Sequence, residues 1–423
     1  MNEETTKLNL VENPIDNSTD LTIQNPRKRR IGKKEPPLSK KKRAEPNAAK
    51  PEYFFTNELR KVKPYYFIYQ TYAKERWINM TIYGLFEKEF NDRLPSHYLN
   101  CIKKGLITVN GCQVSPDYII KNSDLIENRI HRHEPPVLAS SIEIVQQTDD
   151  LLVISKPSSL PVHPTGRYRH LTAINILKYE MGFEELHAVN RIDRLTSGLV
   201  LLALNKSKAS TMMKQMQDRA VEKSYLARVK GKFPFDRIEC NEPIKTASHK
   251  VGVNIVSSDG KPSSTVFTFI SFNGITSLVK CEPKTGRTHQ IRVHLQYLGF
   301  PIANDPLYCS SAWDDSLKDG AISQEVCKDV INRVTNQVFA DEKPVDEEFE
   351  GCEGCLNERM DPTPEQLSIW LHALTYKSKD WQYETKYPSW AEDGWDGDKE
   401  LEERFWKHGG LWDGIAPGTL TSS

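Results

Sequence analysis

An α+β fold is predicted for this chain: a mixed, mainly antiparallel sheet with flanking helices, preceded by a small α+β module. Three observations predict it. Strand-like runs recur at residues 151–155, 199–204, 224–229, 265–270 and 277–281, and the alternation in Ser-Tyr-Leu-Ala-Arg-Val and Thr-Val-Phe-Thr-Phe-Ile marks half-buried antiparallel strands. Helical patterns fall between them, at 172–181, at 206–218 and after Thr288, where Ile291, His294, Leu295 and Leu298 share a face. Pro135-Pro136 separates this region from the module ahead of it.

The elements follow in chain order. Residues 1–50 read as a disordered basic leader. Arg27-Lys28-Arg29-Arg30 and Lys40-Lys41-Lys42-Arg43 lack apolar periodicity, and Pro26, Pro36, Pro37 and Pro46 interrupt them. This leader could be a nuclear-import signal, an RNA-contacting tail or a solvated extension. Residues 51–135 form the module. A helical stretch lies around Leu85, Phe86 and Phe90 and another over 97–104, then a strand ends in the tight turn Asn110-Gly111, and Val114 opens a second strand. Residues 136–400 form the larger domain, with an acidic, aperiodic insertion at about 310–364, and 401–423 a tail.

Composition narrows the function. The 57 Lys and Arg balance the 57 Asp and Glu, yet residues 21–50 hold eleven basic residues while 311–423 hold 25 acidic against 11 basic. A basic end that seeks polyanions is masked by an acidic one. No run approaches 18 apolar residues, so no membrane span is expected. The opening MNEETTKLNL lacks an apolar core and carries early acidic residues, unlike a secretory or transit peptide. The eight irregularly spaced cysteines suggest reduced thiols. A cytoplasmic or nuclear address and a monomer are therefore expected.

The chemistry centres on HAVNRIDRLTSGLVLLAL, residues 187–204. Asp193 sits between Arg191 and Arg194 and leads through Thr196-Ser197-Gly198 into an apolar run, which reads as a strand buried on both faces or a buried helical turn. A carboxylate fixed beside the core and flanked by cations can act as a nucleophile or general base. It can equally cap a turn. Three further segments join it: Lys156-Pro157 through His163-Pro164-Thr165-Gly166, Glu222-Lys223-Ser224-Tyr225-Leu226-Ala227, and Pro283-Lys284-Thr285-Gly286-Arg287-Thr288-His289-Gln290-Ile291-Arg292-Val293-His294-Leu295 followed by Pro301-Ile302-Ala303-Asn304-Asp305.

At these residues the chain resembles the RluA-type pseudouridine synthases, from about Glu143 to Asp305 and again at Leu371-His372-Ala373-Leu374. The family's H-R-L-D-x-x-T-S-G reads N-R-I-D-R-L-T-S-G here, so Asn190 and Ile192 depart from the usual residues and put the local hydrogen bonding in question. The resemblance implies the pseudouridine synthase fold and an isomerase needing no cofactor. It implies Asp193 as the carboxylate that attacks C1′ or promotes base elimination, Tyr225 as the aromatic platform for an extruded base and a base for the C5 proton, and Arg287 as the basic partner of Asp193. Extrusion costs about a few kcal/mol, which is why a platform is needed. The module resembles the S4-like RNA-binding domain, and its order with Arg76-Trp77 and His-Arg-His-Glu-Pro-Pro is similar to the fungal branch that modifies uridine 32 of tRNA. Arg191, Arg194, Arg129, Arg132, Lys103, Lys104 and Arg292 are the candidate RNA contacts, His131 and His133 lying beside them. Ribosomal RNA, another tRNA position, or an RNA-binding protein of the same fold that has lost catalysis are the alternatives.

No metal is expected. Cys352-x-x-Cys355 has the spacing of half a zinc site, but Cys309 and Cys327 are single and supply no second pair. A zinc nucleobase deaminase is excluded because no His is followed two places on by Glu.

Overall fold

The computed structural model describes residues 50–90, 93–248, 252–313, 352, 355, 360–408 and 410. The basic leader, the acidic run at 341–353 except Cys352, and the end of the tail lie outside them.

The module opens with β1 (Tyr53–Thr56), β2 (Leu59–Val62) and β3 (Tyr65–Tyr72). Two helices follow, α1 (Ile82–Glu89) and α2 (Pro95–Lys103). Then come β4 (Ile107–Val109), β5 (Cys112–Gln113), β6 (Leu125–Arg132) and β7 (Val137–Leu138). Thr81 accepts a 3.0 Å hydrogen bond from the Gly84 amide, satisfying one of the donors that the first turn of α1 leaves open. Asn110 and Gly111, at φ 53° and 78°, turn β4 into β5 as the Asn-Gly signal predicts. The second strand ends at Gln113, just before the Val114 expected to open it. Helix, helix and hairpin bury Trp77, Leu85, Phe86, Tyr98, Ile102 and Ile107 in a core of their own. Strands β3, β6, β4 and β5 form one sheet, and β1, β2 and β7 another.

The larger region begins with β8 (Glu143–Gln147) and β9 (Leu151–Lys156), then α3 (Ala173–Met181), β10 (His187–Ala188), β11 (Ser197–Ala203), α4 (Lys206–Gln217) and β12 (Glu222–Lys230). It continues with β13 (Arg237–Cys240), β14 (Ile244–Ser248), β15 (Val253–Val256), β16 (Thr265–Phe272), β17 (Thr276–Pro283) and α5 (Gln290–Tyr297). Beyond the insertion lie β18 (Leu371–Lys377), β19 (Gln382–Glu384) and α6 (Leu401–Arg404). The main sheet runs β13-β16-β17-β12-β18-β11-β9-β8, with β10 added to β11 and β19 to β18. Among the described ladders only β11 and β18 run parallel, so the expectation of a mixed, mainly antiparallel sheet holds.

Two apolar cores lie along this sheet. One gathers β9, β11, α3 and α4, with Leu199 to Ala203 wholly buried, each Leu contributing about 1.5–3 kcal/mol by its removal from water. The other gathers β12, β16, β17 and α5 around Ala227, Phe267, Val279 and Leu295. Strand β18 arrives from beyond the insertion and slots between β12 and β11, closing the seam between them. The fit there is tight. Gly198 has φ 108°, and a Cβ at that position would lie 2.2 Å from the Ala373 carbonyl oxygen. Only glycine permits both the dihedral and the approach.

Candidate active site

The loop between β10 and β11 crosses the seam. Ile192 packs into the first core and Leu195 into the second, leaving Asp193 between them with its side chain 22% exposed. The Thr196 amide donates to the Asp193 carbonyl at 3.1 Å, closing a turn. Behind the loop the wholly buried Lys156 donates to the carbonyls of Pro157 at 2.8 Å and Arg194 at 3.3 Å. Burial, and then the Arg194 cation, push the Lys156 ammonium well below its ordinary pKa. Ser197 Oγ lies 2.8 Å from His372 Nδ1, whose other nitrogen meets Thr385 Oγ1 at 2.7 Å. The TSG and LHA segments are thus hydrogen-bonded across the parallel pair.

The cation facing Asp193 is Arg292. Its Nη1 lies 3.4 Å from Asp193 Oδ2, while Nε and Nη2 donate to the two carboxylate oxygens of Asp305 at 2.7 and 3.0 Å. Asp305 also accepts the amides of Leu307 and Tyr308 at 2.9 and 3.0 Å. A bidentate fork fixes the plane of a guanidinium, so Asp305 aims the remaining nitrogen of Arg292 at Asp193. Burial opposes the charge on Arg292, but the charge and hydrogen bonds of Asp305 outweigh it and raise its pKa. The Arg292 guanidinium also lies 4.8 Å from the Tyr308 ring centroid.

His289 sits just ahead of α5 with φ 57°, a left-handed value that non-glycine residues rarely adopt. Its Nε2 comes within 3.8 Å of Asp193 Oδ2 and its Nδ1 within 3.0 Å of the Tyr308 hydroxyl. Burial first, and then the Arg292 cation, depress its pKa to about 4, so the ring is neutral at physiological pH.

Tyr225 enters from β12. Opposite it the ladder with β18 shifts register: Ser224 pairs with Thr375 but Tyr225 with Ala373. A bulge of this kind re-aims a side chain beside a site. The Tyr225 hydroxyl lies 2.7 Å from that of Tyr376, which accepts from Asn190 Nδ2 at 3.2 Å. Asn190 Oδ1 accepts the Leu201 amide at 2.8 Å. Asn190 thus joins the Asp193 loop, β11 and the tyrosine pair, and Ile192 serves as core. Burial, with the Asp193 charge adding to it, pushes the Tyr225 phenol up to about 12.

Asp193 therefore lies partly exposed between two cores, with a fixed cation on one side and a phenol whose pKa its charge helps to raise. A model of the RNA pseudouridylate synthases matches residues 150–297. The chain is 37% identical over 420 residues to the mitochondrial tRNA pseudouridine(32) synthase of Saccharomyces cerevisiae, covering 90% of each protein. It belongs to the RNA pseudouridine synthases. This pseudouridine synthase, an isomerase, is also 37% identical over 434 residues to pseudouridylate synthase RPUSD2 of Mus musculus, covering 87% of this chain and 78% of that one. To the tRNA pseudouridine(31) synthase of the same yeast it is 34% identical over 403 residues, covering 81% and 97%.

Several expectations are corrected. Arg287 does not face Asp193: its Nε and Nη2 both lie 3.2 Å from the Pro262 carbonyl, because it precedes α5 in a loop tied down by Gln290, which accepts the Arg287 amide at 3.0 Å. Arg292, assigned to RNA, is 4% exposed and belongs to the Asp193 network. Arg194, also assigned to RNA, is buried against Tyr168, its guanidinium 5.6 Å from the ring centroid. Arg132 is buried as well. It bonds the Tyr69 hydroxyl and donates to the Gly166 carbonyl at 2.6 Å, fastening the module to the larger region. Arg129, Lys103, Lys104 and Arg191 are exposed, Arg129 lying over Tyr66 and Arg191 3.4 Å from His163. The nuclear or cytoplasmic address is overturned by the yeast relative, whose name carries the word mitochondrial; a basic leader marks attraction to polyanions or receptors without specifying the organelle.

Asp305, Tyr308, Tyr376 and Asn190 carried no assigned role in the sequence. No sequence signal pointed to Asp305: only the structure shows residues 290–296 of α5 all buried, and a buried arginine requires a partner.

Proposed function

We propose that this pseudouridine synthase isomerises uridine 32 in the anticodon stem-loop of mitochondrial tRNA, with Asp193 as the reacting carboxylate. The observation that carries the reading is the Asp193–Arg292–Asp305 network at the seam of the sheet; 37% identity to a tRNA pseudouridine(32) synthase along 90% of both chains supports the substrate. In this reading Arg292 orients Asp193 toward C1′ of the ribose, or toward the sugar proton whose loss lets the base depart. Tyr225 stacks on the extruded uracil and, through the Tyr376 hydroxyl, exchanges the C5 proton after the base has turned and rejoined through carbon. The neutral His289 adds no positive charge beside the carboxylate. The module at 51–135 acts as an S4-like RNA-binding domain, with Lys103, Lys104 and Arg129 meeting phosphates and Arg191 doing so at the mouth of the site. The chain acts as a monomer and without a catalytic cofactor.

Pseudouridine mapping of total RNA from cells with and without the gene tests the substrate. Loss of signal at position 32 of mitochondrial tRNA is the expected result. Loss confined to position 31, to ribosomal RNA or to cytosolic tRNA contradicts it.

A further inference from the structure

Residues 131–134, the last two of β6 and the two that follow it, have alternating destinations. Arg132 and Glu134 point to the larger region: Arg132 donates to Gly166, and Glu134 accepts the amides of Arg169, His170 and Leu171 at 2.8, 2.8 and 2.9 Å. His131 and His133 point the other way and meet the two cysteines of the insertion. Cys355 Sγ lies 3.3 Å from His131 Nδ1 and 3.4 Å from His133 Nε2, and those nitrogens are 3.3 Å apart. With Cys352 included, the four ligand atoms lie within 4.8 Å of one another. Tyr66, paired with His131 across β3 and β6, packs its ring 4.8 Å from the imidazole and fixes its orientation. The Cys355 amide donates to the Cys352 carbonyl at 2.9 Å, which holds the two cysteines together.

We propose that His131, His133, Cys352 and Cys355 bind a structural zinc ion. Zinc at about 2.0–2.1 Å from nitrogen and 2.3 Å from sulfur in a tetrahedron places its ligand atoms roughly 3.3–3.8 Å from one another, the spacing of these nitrogens and of Cys355. A ligand set of two imidazoles and two thiolates with no open position is of the structural type. Binding releases the two thiol protons and leaves both imidazoles neutral. The proposal departs from the sequence expectation of no metal: a second pair stands beside the cysteines, but it is His-x-His, 219 positions away from Cys352 when counted from His133. The ion ties the insertion to the segment through which the module is docked. It is separate from the Asp193 network and takes no part in the isomerisation.

The test uses the full chain purified under reducing conditions from zinc-replete medium, with metal content measured by plasma mass spectrometry. About one zinc per chain is expected, since four protein ligands of this type hold the ion through purification. The Cys352→Ser/Cys355→Ser variant loses it and melts at lower temperature while keeping a folded circular dichroism spectrum. Should that variant not fold, exchange of cobalt into the wild type provides the second readout: thiolate-to-cobalt charge transfer with the intense d–d bands of a tetrahedral site is expected. A wild type free of metal that also shows no such bands overturns the proposal. So does a Cys352–Cys355 disulfide in the freshly purified protein, or zinc retained by the double variant.

Discussion

Two sets of arginines in this protein do opposite things. In the seam of the main sheet, Arg292 is buried, gripped by Asp305 and turned toward Asp193. On the module, Arg129 of β6 is exposed and lies over Tyr66 of the neighbouring β3, its guanidinium 4.5 Å from the ring centroid, and β3 also exposes Tyr69 and Tyr72. A buried guanidinium cannot reach a phosphate, and its charge must be balanced within the protein. An exposed one beside an aromatic ring can bind a polyanion and costs little where it stands. Burial therefore separates an arginine proposed to serve the reaction from one proposed to serve binding, a distinction invisible in a list of basic residues.

The largest effect expected in breaking that contrast is at Arg292. Arg292→Met leaves Asp305 buried without its cation, which costs about 3–5 kcal/mol of stability and slows the reaction, measured by urea unfolding and by pseudouridine formation. Arg287→Met, five positions earlier in the same motif, is expected to stay within about 0.5 kcal/mol of the wild type. Tyr225→Phe keeps the ring and removes the hydroxyl shared with Tyr376. We expect a loss of about 10²–10⁴-fold in the rate at saturating tRNA, as for removal of a proton-transfer group. Because the Tyr225 phenol is pushed up to about 12, the wild-type rate should still be rising at pH 10, and the Phe variant should not share that rise.

Acid comes next in size. His289 and His372 are depressed from 6.5 to about 4 in the folded chain, mainly by burial. Between those values the unfolded chain binds the extra protons, so stability falls as pH drops from 6.5 to 4, by up to about 1.4 kcal/mol per pH unit for each ring. Thermal unfolding across that window checks the sign, and His372→Gln should flatten the slope. The smallest effect belongs to the exposed set. Arg129→Ala is expected to weaken tRNA binding a few-fold and to reduce the salt slope of log Kd by about one, leaving the rate at saturation unchanged.

The amino-acid order carried much of this. The apolar run after Gly198 could only be core, and it is the wholly buried β11. Asn110-Gly111 announced its turn, and Asp193 and Tyr225 stood out through their motifs. What remained hidden depended on contacts between distant segments. Arg287 and Arg292 share one short stretch, and only the start of α5 at Gln290 decides which one turns inward. Glu134 reads as one acidic residue in a basic run, yet it holds three amides of residues 169–171. Cys352 and Cys355 look like an isolated pair until His131, in β6, and His133, just beyond it, are seen beside them. The strand closing the seam, β18, lies beyond an insertion with no periodicity of its own, so nothing local places it beside β11.

We propose that the carboxylate held by Arg292 performs the chemistry while the exposed basic surface supplies the binding. Single-turnover pseudouridine formation with Asp193→Asn, at enzyme concentrations that saturate the tRNA, tests it most directly. We expect a wild-type Kd for tRNA and a rate lower by at least about 10³-fold, since the residue acts as one unit with its partners. An Asp193→Asn enzyme that binds tRNA and forms pseudouridine at the wild-type rate would contradict it.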